Sequence, residues 1–229
     1  MKDGEGLAIL KYERQKADTG LDPDGVEVPI DPRRDETLSL YSEYGLTDRL
    51  TLQTKVGLTR GHDNFVDYEG RGPIELGLRY ALLHTDRSAV SLYLGATKDG
   101  VGRNAGYAAP GQGDTDLEVR LLVGTSRQWR RAQGFAELQV ARLKRSGLAD
   151  ETRIDVTAGL RPTPRWLLMV QAYAGQAESE PVQSRWRKRE VSITRDLGAW
   201  SLQAGWRQTL SGRETPVDRG PVLAVWRRF

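Results

Sequence analysis

A two-residue hydrophobic rhythm starts, stops and restarts along almost the whole chain, and it constrains the fold more than any other feature. From Leu50, the residues Leu50, Leu52, Val56 and Leu58 fall on one face of an extended strand, and Thr51, Gln53, Lys55 and Gly57 on the other. Strict alternation of this kind marks a strand. It recurs through Leu38–Tyr44, Ile74–Leu82, Val90–Ala96, Leu117–Gly124, Gln133–Val140, Arg153–Leu160, Trp166–Gly175 and Trp200–Leu210, and more weakly in Ala8–Arg14, Arg185–Thr194 and Pro221–Phe229. The sum is about twelve strands of ~9–11 residues, the length that crosses a bilayer at a tilt.

The connections alternate as well. One set is short: Thr47–Arg49, Thr85–Arg87, Ser126–Arg131, Pro162–Arg165 and Arg195–Gly198. The other is longer and rich in Gly, Pro and Asp: Lys16–Asp35, Arg60–Arg71, Asp99–Thr115, Arg145–Glu151, Gln176–Ser184 and Ser211–Gly220. Short turns at one end and long loops at the other predict an all-β, closed antiparallel up-and-down transmembrane β-barrel forming a single domain over residues 1–229. A barrel must close to lose its edges, so no internal boundary is expected.

Bulk composition alone reads as soluble, with a mean hydropathy of −0.56 and 28% charged residues. No segment approaches the ~20 apolar residues of a spanning helix, which excludes helical membrane proteins and leaves barrels open. The absence of cysteine rules out a disulfide scaffold or thiolate metal site, and two histidines leave little for histidine chemistry. A net charge of +3 without a basic tail gives no support to a nucleic-acid partner. The N-terminal MKDGEG has no apolar signal-peptide core. Of a cytosolic protein and a mature chain carrying an added methionine, the remaining sequence favours the second.

The polar face separates lipid from water as the surroundings. It carries charges at Lys55, Glu75, Arg79, Glu118, Arg120, Glu137, Arg153, Asp155 and Arg207, and glycines at positions 57, 77, 95, 124, 159, 175 and 205. Glycine weakens a solvated strand but makes room inside a small barrel. The charged set is therefore expected to line a lumen, and Leu50, Leu52, Val56, Leu58, Leu76, Leu78, Leu92 and Leu94 to face lipid. Tyr80, Trp166, Trp200 and Phe229 sit at strand ends like an interfacial aromatic girdle. The final VLAVWRRF resembles the C-terminal insertion signal of bacterial outer-membrane barrels, which implies the barrel-insertion machinery as a partner; Arg227 departs from the ideal apolar position.

With these features together, the chain resembles small Gram-negative outer-membrane β-barrels of about twelve strands. GDTDLEVRLLVG and RPTPRWLLMVQAY are similar to segments of proteobacterial barrels. The resemblance implies a fold and an outer-membrane location, and no chemistry.

Functional expectations follow. The leading one is a narrow passive channel for small, preferably anionic, solutes, or a structural or accessory barrel, with no catalytic residues, no cofactor and no metal. Facing opposite charges favour an occluded lumen; large arginines beside glycine gaps favour a channel. One alternative is a lipid-modifying enzyme, for which His62 among Asp63, Asp67 and Glu69 is the only candidate, without a serine motif beside it. Another is a barrel that binds ligands through its long loops. The basic run at Arg185, Arg187, Lys188 and Arg189 is a candidate contact for lipopolysaccharide phosphates, since guanidinium forks suit phosphate. The acidic loop Asp22–Glu36 is expected to be a solvated loop. The sequence names no protein partner.

Overall fold

A computed structural model describes residues 1–130, 132–178 and 183–229. Parts of two expected connections, Arg131 and residues 179–182, lie outside the described residues. The strands are β1 (Gly6–Leu21), β2 (Glu27–Gly45), β3 (Leu50–His62), β4 (Asp67–Arg71), β5 (Ile74–His84), β6 (Ser88–Lys98), β7 (Thr115–Trp129), β8 (Ala132–Arg145), β9 (Asp150–Thr163), β10 (Trp166–Glu178), β11 (Gln183–Leu197), β12 (Trp200–Arg213), β13 (Thr215–Pro216) and β14 (Arg219–Arg228). Twelve form a ring of antiparallel neighbours; β4 folds back on β3 and β13 bridges to β1. The ring closes because β1 pairs with β2 on one side and β14 on the other. At the seam, Gly6 N donates to Phe229 O at 2.7 Å and Phe229 N to Gly6 O at 3.0 Å.

The two faces sort as the alternation predicts. Leu58, Leu76 and Leu94 on the outer wall are 62%, 57% and 57% exposed, while inward Tyr93 and Glu190 are 1% exposed. The apolar band faces out and the charges face in, which is the inverse of a soluble sandwich and the arrangement of an outer-membrane barrel. Twelve strands at ~4.8 Å spacing and ~40° tilt give a backbone cylinder roughly 24 Å across.

Glycine on the inner face gives aromatic rings a place against the wall. A Cβ at Gly77 or Gly95 would run into the ring of Tyr93, one at Gly159 into Phe135, and one at Gly175 into Trp186. The rings therefore lie flat along the wall over bare backbone instead of standing into the lumen.

Tyr80, Trp166, Trp200 and Phe229 are all exposed near the short-turn end. Arg227 pairs in register with Trp200 and its guanidinium lies 4.6 Å from that ring centroid. This stacking explains how a charge is accommodated in an otherwise apolar terminal strand.

Three of the expected long loops are instead mostly strand. The β1–β2 ladder runs up to Leu21↔Glu27, so Lys16–Asp35 forms a hairpin that turns at 22–26. There Asp22 Oδ1 accepts from the amides of Asp24 and Val26, both at 2.9 Å. Arg60–Arg71 likewise holds the β3–β4 ladder, and Ser211–Gly220 contains β13. Above the lipid band both faces of a strand are polar, so the alternation fades while the backbone pairing continues.

Replacing Leu78 with Arg is expected to cost roughly 1–4 kcal/mol, depending on depth. Lys55→Leu, on the inner face, should cost less than half of that. Urea titration of the heat-modifiable folded band reads both; equal losses would contradict the assignment of faces.

Candidate functional site

The inner wall is charged at alternate positions of nearly every strand, and the charges pair sideways. Glu43 on β2 takes both nitrogens of Arg79 on β5, at 2.9 and 3.1 Å, and the amide of Gln53 at 2.8 Å. Glu118 holds Arg120, whose Nη1 reaches Gln139 at 3.0 Å and whose guanidinium lies over Tyr93. The Tyr93 hydroxyl donates to Glu75 at 2.7 Å. Arg207 reaches Glu190 at 2.7 Å and Glu13 at 2.6 Å and sits over Tyr173, while Lys11 reaches the same two carboxylates at 3.3 and 3.4 Å. Among the described residues these wall pairs join strands no more than three places apart round the ring. They coat the wall and do not lace across it. Satisfied pairs of this kind avoid the cost of a lone buried charge.

At the short-turn end the lumen holds a cavity of about 680 Å³, bordered by Lys2, Asp48, Arg79, His84 and Glu137. At the same end Phe135, Leu167, Met169 and Trp226 sit at inward positions, with Leu167 and Met169 buried.

The opposite mouth is spanned by the connection between β6 and β7. Residues 99–114 form no strand. The loop leaves Lys98, crosses the opening and reaches the far wall, where Gly106 lies against Thr215 and Pro216 beside β1. Side chains from several strands hold it. Arg33 of β2 donates to Gly106 O at 3.1 Å. Arg103 of the loop bridges Asp35, at 3.3 Å, and Asp63, with its guanidinium over Tyr68. Asn104 ties the loop to itself through Gly100 O at 2.9 Å and Gln112 O at 2.8 Å. At the root, buried Arg145 meets Asp99 at 3.5 Å, Asp116 at 2.8 Å and Glu151 at 2.5 Å, and donates to Asn104 O at 3.2 Å.

That root carries more carboxylates than cations. Asp99, Asp116 and Glu151 share Arg145, and Arg153 adds one further guanidinium, 2.5 Å from Glu151. Burial, and then the charge of Asp116, push the Asp99 carboxyl up to about 6, against the pull of Arg145. Beneath the loop lies a cavity of about 410 Å³, lined by Gln15, Asp155, Tyr173, Trp186, Lys188 and Arg207 among others. Both amide atoms of Gln15 are buried without a hydrogen-bond partner.

The nine charged residues expected in the lumen lie on inward positions, and the eight expected at lipid lie on outward ones. Of the basic run, Arg185, Arg187 and Arg189 alternate with Trp186 and Lys188. Lys188 points into the barrel and pairs with Asp218 at 3.0 Å, so it does not share the outer wall with the three arginines. His62 lies on the outer wall, exposed, against Asp67, which is its one hydrogen-bond partner among the described residues. The lumen set read from the sequence leaves out Lys11, Glu13, Glu43 and Glu190, which complete the wall pairs, although the alternation through Lys11–Glu13 and through Leu38–Tyr44, with Glu43 on the polar face, carries that signal. It also missed the loop anchors Arg33, Arg103 and Arg145. The signal available was the length of 99–114, since connections beyond ~12–15 residues without secondary structure are usually functional.

No protein-family model matches the chain, and no curated protein matches it in sequence. Solved structures do. An outer-membrane channel from Pseudomonas putida superimposes with a TM-score of 0.74 at 15% identity, over 100% of this chain and 97% of that one. The NanC porin gives 0.59 at 7% identity over 96% and 98%, and LpxR from Salmonella typhimurium gives 0.58 at 12% over 97% and 99%. At these identities the likeness is one of fold: this chain has the fold of the outer-membrane β-barrels.

The raised Asp99 carboxyl sets a pH dependence for the docked loop. A carboxyl that binds its proton more tightly when docked favours docking fully below its undocked value of about 3.8, and loses that advantage as the pH rises from there through about 6. Amide exchange across 100–112, corrected for intrinsic chemistry, should therefore be slower at pH 5 than at pH 7.5. Asp99→Asn should exchange slowly at both, because Arg145 keeps Asp116 and Glu151. A wild-type loop with the same corrected rate at both values would refute this coupling.

Proposed function

We propose that the protein is a narrow passive channel of the bacterial outer membrane for small hydrophilic solutes, with the loop 99–114 as its constriction. The observation that carries this reading is a closed barrel whose wall charges pair sideways, with one irregular loop drawn across the mouth above a polar cavity. Likeness to proteins described as an outer-membrane channel and as a porin supports the reading.

Selectivity by charge is weak. Around the cavity below the loop, Arg33, Arg103, Arg153, Lys188 and Arg207 stand against Asp35, Glu151, Asp155 and Asp218. The small cationic excess favours small anions, because a narrow polar passage reads the sign of its lining. The lipid-modifying alternative rests on His62, which has an acid beside it and no hydroxyl within hydrogen-bond reach among the described residues. Arg185, Arg187 and Arg189, on the outer wall, are suited to lipopolysaccharide phosphates, and the Phe229 strand to recognition by the insertion machinery.

Planar-bilayer recording tests the channel. The wild type should give small, discrete steps with a mild anion preference. Arg103→Ala, which removes the ties to Asp35 and Asp63, should raise the step size severalfold. Silence from both proteins, each folded by heat-modifiability, would end the channel reading; equal steps would end the role of the loop.

A further inference from the structure

The outer wall of β1, β2, β3 and β14 carries a concentration of cations directly above its apolar band. Cross-strand register puts Tyr12 beside Leu38 and Leu223, and Leu38 beside Leu58, as one apolar row. Two residues further along the strands, Arg14 stands beside Glu36 and Glu36 beside Arg60. Two further still, Lys16 stands beside both Arg34 and Arg219, and Arg34 beside His62. The transition from acyl-tail wall to guanidinium wall thus takes a single step of the pleat.

Among the described residues these cations outnumber the carboxylates that pair with them. Glu36 is the shared carboxylate of three arginines: Arg60 Nη2 lies 2.6 Å from it, Arg14 Nε 3.5 Å, and Arg34 in direct contact. Lys16 has no carboxylate within ion-pair distance among the described residues. Arg219 has only Asp18 at 3.7 Å, both largely exposed, and such a pair holds little. The buried Nε of Arg14 has no hydrogen-bond partner. A hollow of about 540 Å³ opens between them, lined by Arg14, Lys16, Arg34, Arg219 and Trp206 among others, with Asp18 as the acidic residue of its lining. That volume lies in the range of small-molecule sites, roughly 300–1,000 Å³. Trp206 is 48% exposed on the outer wall, and an amphipathic indole at this level marks the boundary of tail and headgroup.

We propose that this hollow is a binding site for the phosphorylated headgroup of an outer-leaflet lipid, with its phosphate held by Arg14, Arg34, Lys16 and Arg219 and its first acyl segment lying against Tyr12, Leu38 and Leu223. Position selects the ligand: cations fixed one residue pair above a hydrocarbon-facing wall meet headgroup phosphates, and guanidinium forks hold phosphate in two-point contacts. The site is on the opposite side of the wall from the lumen and does not depend on conductance.

Native mass spectrometry of the detergent-purified barrel tests it, with diphosphorylated lipid A, its monophosphorylated form and inorganic pyrophosphate as probes. The wild type should retain one diphosphorylated lipid and hold the monophosphorylated form less well. Arg14→Gln with Arg34→Gln should lower retention about tenfold, the scale expected on losing charge-assisted bonds. Lys144→Gln, an exposed outward cation of β8, should leave it unchanged. If the first pair of substitutions prevents folding, Lys16→Gln with Arg219→Gln, on exposed side chains, carries the same expectation. Undiminished retention by a folded double variant would overturn the site. So would pyrophosphate competing at the concentration of the lipid, which would make it a site for free anions.

Discussion

A backbone amide in hydrocarbon has no water to turn to, and the whole architecture answers that restriction. Each strand satisfies its neighbours, and the first and last satisfy each other through Gly6 and Phe229. Once the ring is closed, every residue has an inside and an outside, and side-chain chemistry divides between them. Where the ladder has a local defect, the chain repairs it nearby. Pro73 cannot donate, the stave breaks between β4 and β5, and the Gly72 amide meets Gly57 O at 2.8 Å.

Inside the ring the constraint is electrostatic. Charges drawn out of bulk water need partners, and partners on adjacent staves and partners across the axis have different consequences. Here Arg79 finds Glu43, and Arg207 finds Glu13 and Glu190, along the wall. Glycines at 77, 95, 159 and 175 do for the aromatics what the lateral pairs do for the charges, giving each a resting place against the backbone. The loop 99–114 is a separate element drawn across one mouth, and its supports come from both sides of the opening.

The barrel was written plainly in the sequence because alternation is local: the faces of Leu50–Leu58 or Val90–Ala96 need no knowledge of the rest of the chain. The same locality explains what was hidden. Arg103 and Asp35 are far apart along the chain, and nothing near either one announces that the loop folds inward. Arg145 reads as one more cation at the end of a strand until Asp99, Asp116 and Glu151 converge on it. Composition groups Lys188 with its neighbours, whereas the pleat assigns it to the other side of the wall. The hairpin extensions of β1, β2 and β3 escaped notice because alternation reports a lipid face and strand pairing outlasts it.

Arg33 and Arg34 are consecutive, and the pleat sends them to opposite surfaces. Arg33 reaches inward to the loop at Gly106 and to Asp218; Arg34 reaches outward to Glu36. One peptide unit of β2 therefore belongs at once to the inner face of the barrel and to the outer wall. A shift of that unit cannot be confined to either face, so the seat of the loop 99–114 and the cation row of the outer wall share a common mechanical element.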